Sequence, residues 1–320
     1  MSMEALAREA GVARSTVSKA FSGSAEISEE TRARIFEIAK KHGVYDKYIR
    51  RSVEKRVIAV IAPEYQSGLY SQQLYRMNQE ITARGAVMVS ACDSFSMDTR
   101  LELLNYFAEC VKVDGIISIP PIKLKQKYAT PIVCVAENDL CDSICLTSGR
   151  AFSEAIRYLK ENGHTEIALI TEKLTHSWIN RYLQTMREYN LPIRQEYIVE
   201  TPLRFEEGGY SAMQHLIQLE KRPTAVFVVY DSMALGAMKC IYDYGFSVPE
   251  DFSVIGKDDN VINPYLNVPL SSITSYNEDL CQIAVETLFE RIEMGEAVPP
   301  RKIRVSGTFI PRDSVGPAKK

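Results

Sequence analysis

This chain of 320 residues is poor in the residues that most often carry chemistry. It has one tryptophan and four histidines (His42, His164, His176 and His215), and the histidines are scattered rather than clustered. GxSxG, Walker, GxGxxG and HExxH patterns are all missing, so hydrolase, nucleotide-binding and zinc-protease readings lack the spacing their chemistry requires. Paired acids such as Asp258–Asp259 have no positioned partner, and no catalytic residue is expected. Seven cysteines (Cys92, Cys110, Cys134, Cys141, Cys145, Cys240, Cys281) form an odd, dispersed set without a CxxC pair. The closest two, Cys141 and Cys145, have no second pair and no flanking histidines, which argues against zinc. Such thiols read as reduced core residues of a cytoplasmic protein with no metal and no cofactor. No apolar run approaches the roughly 18–20 residues that span a bilayer. The opening MSMEALAREA reads as a polar helix, not a signal peptide.

What is present is ordinary in bulk and uneven in distribution. Charged residues make up 25% and apolar types 46%, the balance of folded domains, and the length suits about two domains. The net charge of −3 hides a division. Residues 1–56 carry 12 basic and 8 acidic side chains and the remainder 26 and 33, so a head of +4 precedes a body of −7. That split suits a head that meets a polyanion while the body is repelled by it. A chance excess of four charges is the plain alternative.

Three short helical patterns fit residues 2–42. Ser2 can cap a helix to Ala10, with Met3, Leu6, Ala7 and Ala10 as its apolar stripe. Gly11 supplies a tight turn, and a second helix runs from about Arg14 to Phe21 with Val17, Ala20 and Phe21 inward. Ser28 caps a third, which places Glu29 and Glu30 where the helix dipole favours acids. Its stripe, Ile35, Ile38 and Ala39, continues to Gly43. Two helices joined by a glycine turn and backed by a third is the helix-turn-helix plan, whose second helix enters the major groove of DNA. Its outward side chains are Arg14, Ser15, Ser18 and Lys19. Arg14 and Lys19 can donate to guanine O6 and N7, and Ser15 can pair with several bases. Thr16, Ser18, Ser22, Ser28 and Thr31 are short hydroxyl donors suited to phosphates. The same pattern also describes an ordinary three-helix bundle with solvated polar faces.

The segments LAREAGVARSTVSKAFSG and EISEETRARIFEIAKKHG resemble the head of the lac-repressor (LacI/GalR) transcription-factor family. The AGV-xxx-TVS core and the S-x-x-TR opening of the third helix stand at family spacing. Two departures bear on DNA reading: Ala13 replaces a usual capping serine, and Lys19 a usual arginine, trading a bidentate fork for a point charge. The resemblance implies that residues 44–56 form a hinge on DNA. There Lys47, Arg50 and Arg51 would meet the backbone, and Val53, at the family's leucine position, would enter the minor groove. Asp46 stands for a usual proline, and the linker is about three residues short.

From Arg56 onward, buried-strand runs such as VIAVIAPE, GIISIP, IALIT, TAVFVVYD and FSVIGKDD alternate with amphipathic helices. This βαβ rhythm predicts parallel sheets with sites at strand C-termini, arranged as two lobes of about 57–147 and 148–275. Matches at VDGII, ENGHTEIALIT, RPTAVFVVYDSMALGAMKCI, GFSVPEDFSVIGKDDN, PLSSIT and FIPRDSV make the body similar to the family's effector domain, itself like periplasmic sugar-binding proteins. The implied fold is an all-α helix-turn-helix head (1–43), a linker (44–56) and an α/β periplasmic-binding-protein-like body of two parallel-sheet lobes. Residues 276–305 would return to the first lobe and 306–320 to the second.

By the same resemblance the effector pocket takes Leu69, Tyr70, Arg150, Trp178, Arg181, Tyr230, Asp258 and Ser275. Arg181 reads as a ligand fork or a structural salt-bridge partner, and Trp178 as a sugar platform or a core ring. Tyr230 and Ser275 replace an asparagine and a glutamine, Leu146-Thr147 an Asp-Asn pair, and Arg150 often an acid. These exchanges lead to the expectation of a sugar-like effector of anionic kind. The expected protein is a repressor, a homodimer on a pseudo-palindromic operator, controlled by a small molecule between its lobes. A stand-alone cytosolic solute-binding module is the alternative.

Overall fold

Serine caps and glycine turns shape the head. The computed structural model describes all residues except 23, 25, 46–54, 275–277, 295–297 and 320. The proposed hinge residues Lys47, Arg50, Arg51 and Val53, and the pocket candidate Ser275, lie outside the described residues. Met1–Val57 with Arg84–Val87 form one compact unit, and Ile58–Ala83 with Met88–Lys320 a second.

In the head, Ser2 Oγ accepts from the Ala5 N–H at 3.2 Å and opens α1 (Met3–Ala10). Gly11, at φ 64°, turns the chain toward α2 (Arg14–Phe21). Ser28 Oγ accepts from the Thr31 N–H at 3.3 Å and opens α3 (Glu29–Lys41). Leu6, Val17, Phe21, Ile35 and Ala39 bury together, with Phe36 and Tyr45 packed at the edge. The Phe21 and Phe36 ring centroids lie 5.0 Å apart.

Among the described residues the body has two six-stranded sheets. In the first, β1 (Val57–Ala62) sits between β2 (Val87–Cys92) and β3 (Gly115–Ser118), followed by β4 (Ile132–Cys134), β5 (Asp142–Thr147) and β11 (Lys302–Ser306). In the second, β6 (Ile167–Glu172) sits between β7 (Ile198–Thr201) and β8 (Ala225–Val228), followed by β9 (Ser253–Asp258), β10 (Ser271–Thr274) and β12 (Phe309–Ile310). Pairing is parallel from β1 through β3, β4 and β5 to β11, and in the second sheet everywhere except between β10 and β12. Parallel sheets are covered on both faces, and Ile58–Ala62 are accordingly fully buried.

The first sheet carries α4 (Gly68–Ala83), α5 (Met97–Asn105) and α10 (Glu278–Met294); the second carries α6 (Gly149–Glu161), α7 (Ser177–Glu188), α8 (Phe205–Ile217) and α9 (Asp231–Asp243). Ser96 caps α5 through the Thr99 N–H. Helix α8 contains Gly208 and Gly209. A Cβ at Gly209 would stand 1.8 Å from Met233 O, and one at Gly236 1.8 Å from Glu206 O. Glycine here lets α8 and α9 cross backbone against backbone, which brings their N-termini together.

The C-terminal segment is tied down by His164, which is 1% exposed. Its Nε2 lies 2.9 Å from Gly316 O and its Nδ1 2.8 Å from Thr224 Oγ1. A carbonyl can only accept, so Nε2–H donates to it and neutral Nδ1 accepts from the threonine. Burial holds this ring's pKa below its usual value. As pH falls below about 6.5 the unfolded chain therefore binds the proton first, and stability is lost toward the folded pKa. His164→Gln should flatten the fall in melting temperature between about pH 7 and 5 relative to wild type. An unchanged slope would show that the ring does not titrate there.

Candidate DNA-reading helix and ligand cleft

On α2, Arg14, Ser15, Ser18 and Lys19 are exposed, Thr16 is half-buried, and Val17, Ala20 and Phe21 are buried. Ala13 provides no side-chain cap, so α2 starts without the acceptor that opens α1 and α3. Arg14 Nε rests 2.9 Å from Glu4, and Lys19 Nζ contacts Glu26. The Lys19 ammonium holds the Glu26 carboxyl below the usual carboxylate range. Both pairs are solvent-exposed and screened, so a phosphate or base edge can displace them at little cost.

Among the phosphate candidates, Ser22 donates to Lys19 O and Ser28 donates to Thr31 Oγ1 at 2.9 Å, so both hydroxyl protons serve the head itself. Sequence reasoning missed Arg32. Its Nη2 donates to Ser24 O at 2.7 Å and anchors the loop that follows α2. The S-x-x-TR pattern contained that residue without showing what it does.

In the body, the C-terminal ends of β1, β3, β6, β8 and β9 converge on a cleft of about 440 Å³ between the two sheets. Four of the expected pocket residues, Leu69, Tyr70, Tyr230 and Asp258, line it. Burial pushes the Tyr70 phenol up to about 12 and raises that of Tyr230, which donates to Glu172 Oε1. Asp258 has left-handed backbone (φ 116°) and pairs with Lys257 Nζ at 2.7 Å.

Trp178 and Arg181 lie instead in an adjoining depression with Ser148, Asn180 and Gln184, which meets the cleft at Leu146. Trp178 is half-buried against Phe152 and Phe227, at 5.4 and 5.8 Å between centroids. Arg150 joins neither group. From the first turn of α6 its Nε reaches Glu154, one turn on, at 3.0 Å, and its side chain is 89% exposed. Of the exchanges behind the expectation of an anionic effector, the arginine at 150 thus stands outside the cleft.

The interaction across the cleft was not foreseen. Arg204, just before α8, forms two hydrogen bonds to Glu64, just after β1, at 2.9 and 3.0 Å. Its guanidinium lies between the rings of Phe95 and Phe205, 4.9 and 4.5 Å from their centroids. Both phenylalanines have positive φ, 63° and 53°, a conformation unusual for bulky side chains. Asp93 secures the Phe95 turn: it accepts from the Phe95 N–H at 2.8 Å and from Arg100 Nε at 2.6 Å, fully buried.

A second link joins Gln72 Nε2 to Asn260 Oδ1 at 3.1 Å. Asn260 is held by Asp231, whose carboxylate accepts from the Asn260 N–H, Asn263 Nδ2 and Ser272 Oγ at 2.7–2.9 Å. Burial, with Asp258 nearby, pushes the Asp231 carboxyl up to about 7. Glu64 and Asp231 could have been found as acids beyond strand ends; Arg204 and the two phenylalanines could not, because their roles depend on loop backbone. Glu64→Gln or Arg204→Met should each lower stability to denaturant by about 1–3 kcal/mol, because the partner's charge stays half-buried and unpaired. The double mutant should cost less than the sum; strict additivity would show that the pair is uncoupled.

Residues 2–46 match the family of bacterial regulatory proteins, lacI family, and residues 156–315 the periplasmic binding protein-like domain. Catabolite control protein A of Priestia megaterium is 27% identical over 88% of this chain and 90% of its own length. The probable HTH-type transcriptional repressor ExuR of Bacillus subtilis is 28% identical over 97% of each chain. A LacI family transcriptional regulator from Enterococcus faecium, solved with bound ribose, superposes with a TM-score of 0.71 at 23% identity, covering 82% of this chain and 100% of that one. The last likeness shows the fold. With its helix-turn-helix head and two-lobed binding-protein body, the chain belongs to the lacI family of bacterial regulatory proteins.

Proposed function

We propose that this regulator is a repressor that reads a pseudo-palindromic operator as a homodimer and changes its DNA affinity when a sugar-like molecule occupies the cleft. The observation that carries the DNA reading is α2, a second helix whose outer face offers Arg14, Ser15 and Lys19 on a packed three-helix head. Arg14, Ser15 and Lys19 meet base edges; Thr16, Ser18 and Thr31 donate to phosphates, whereas the hydroxyl protons of Ser22 and Ser28 are already used within the head. One such head reads few bases, which is the physical case for two heads on a two-fold operator.

Residues 1–43 act as the head, 44–56 as the linker, 57–147 with 276–305 as the first lobe, and 148–275 with 306–320 as the second. The linker residues Lys47, Arg50, Arg51 and Val53 meet the DNA between the half-sites. Leu69, Tyr70, Tyr230 and Asp258 contact the effector, with Trp178 and Arg181 at the margin. The ribose in the Enterococcus faecium relative supports a sugar-like ligand. The work is done in the cytosol, without catalysis. A stand-alone solute-binding module does not account for the head that matches at residues 2–46.

Arg14→Ala or Lys19→Ala should weaken operator binding by about 1–3 kcal/mol and relax base choice at one position in each half-site. Selection from a random DNA pool checks this. An unchanged selected sequence would remove these residues from base reading.

A further inference from the structure

We infer that the cleft takes an uncharged, hydroxyl-rich ring that donates a hydrogen bond to Gln73, and that it rejects the anionic counterpart of the same ring. This rests on the reading of the cleft as the effector site. Gln73, on α4, lines the cleft and is only 5% exposed, yet its Oε1 is buried without a hydrogen-bond partner. On the opposite wall Arg204 Nε is likewise buried and unpartnered. The other such atoms among the described residues, on Arg32, Asn263 and Arg301, do not line the cleft. A buried acceptor left unpaired is costly, and a ligand hydroxyl supplies what Gln73 lacks.

The charge pattern selects in the same direction. Each cation that lines the cleft itself is already matched, Arg204 by Glu64, Arg100 by Asp93 and Lys257 by Asp258, while Arg181 stands outside it in the adjoining depression. Glu172, behind Tyr230, adds a carboxylate without adding a cation. An anion would therefore enter a half-dry site in which carboxylates outnumber cations, where repulsion is stronger than in water. Tyr70, Phe95, Phe205 and Tyr230 supply ring faces against which the apolar side of a sugar can pack. Such walls suit hydroxyl donors with a flat apolar face.

The test uses the full chain and a panel of neutral pentoses and hexoses, each beside its uronic acid and its phosphate, measured by thermal shift and calorimetry. The tightest binder should be neutral, with its acid and phosphate at least about tenfold weaker. Gln73→Met removes the unpaired acceptor at similar volume. It should melt at the same or a higher temperature yet bind the neutral sugar about tenfold more weakly. A purely structural Gln73 would not separate those two readouts. Equal or tighter binding of the acid or phosphate, or unchanged affinity in Gln73→Met, would overturn this inference and leave the effector site standing. Silence from the whole panel would overturn the sugar-effector reading itself.

Discussion

The ion pair between Glu64 and Arg204 joins the two lobes, and the geometry of the cleft depends on it. It is bidentate, half-buried and flanked by two aromatic rings, so rotation of either side chain would break hydrogen bonds and lose packing. Around it the backbone is held in conformations that neighbouring contacts must enforce. Ser94, Phe95, Phe205, Asp258 and Asp259 all have positive φ, and all lie at or beside the cleft. Left-handed backbone at non-glycine residues persists where surrounding structure over-determines it, and such residues collect at binding sites. The buried Asp93–Arg100 pair and the Asp231 cluster supply that enforcement, one from each lobe.

A site built this way resists partial change. A ligand that exchanges hydrogen bonds with Gln73, Arg204 or Asp258 acts on elements of both sheets at once, because those residues sit on α4, before α8 and at the end of β9. Close packing makes such interfaces switch between discrete arrangements instead of deforming smoothly. The Gly209–Gly236 crossing contributes here, since it sets the α8 N-terminus beside that of α9 without intervening side chains. In the head the corresponding economy is the use of weak internal pairs. Arg14 and Lys19 rest on exposed carboxylates that give up their partners easily, whereas the loop after α2 is fixed by the better-buried Arg32.

Much of the fold was legible in the sequence because it depends on short-range patterns. Capping serines at 2 and 28, the glycine at 11, and unbroken runs such as Ile58–Ala62 specify their elements locally. Within the body, Leu69, Tyr70, Tyr230 and Asp258 could be placed because a strand end or a family motif marks each. Arg150 could not, since its direction is decided by an i,i+4 partner on its own helix. The Glu64–Arg204 pair, 140 residues apart in sequence, exists only once two sheets face each other. Phe95 and Phe205 gave no sign either, because nothing in their neighbours announces a left-handed phenylalanine.

Coupling between cleft and operator is the central claim, and linkage tests it most directly. The measurement is the dissociation constant of the effector with and without saturating operator, beside that of the operator with and without saturating effector. The two ratios should be equal, and both should differ from one by roughly 5- to 150-fold. Ratios of one, with both ligands bound, would contradict the claim.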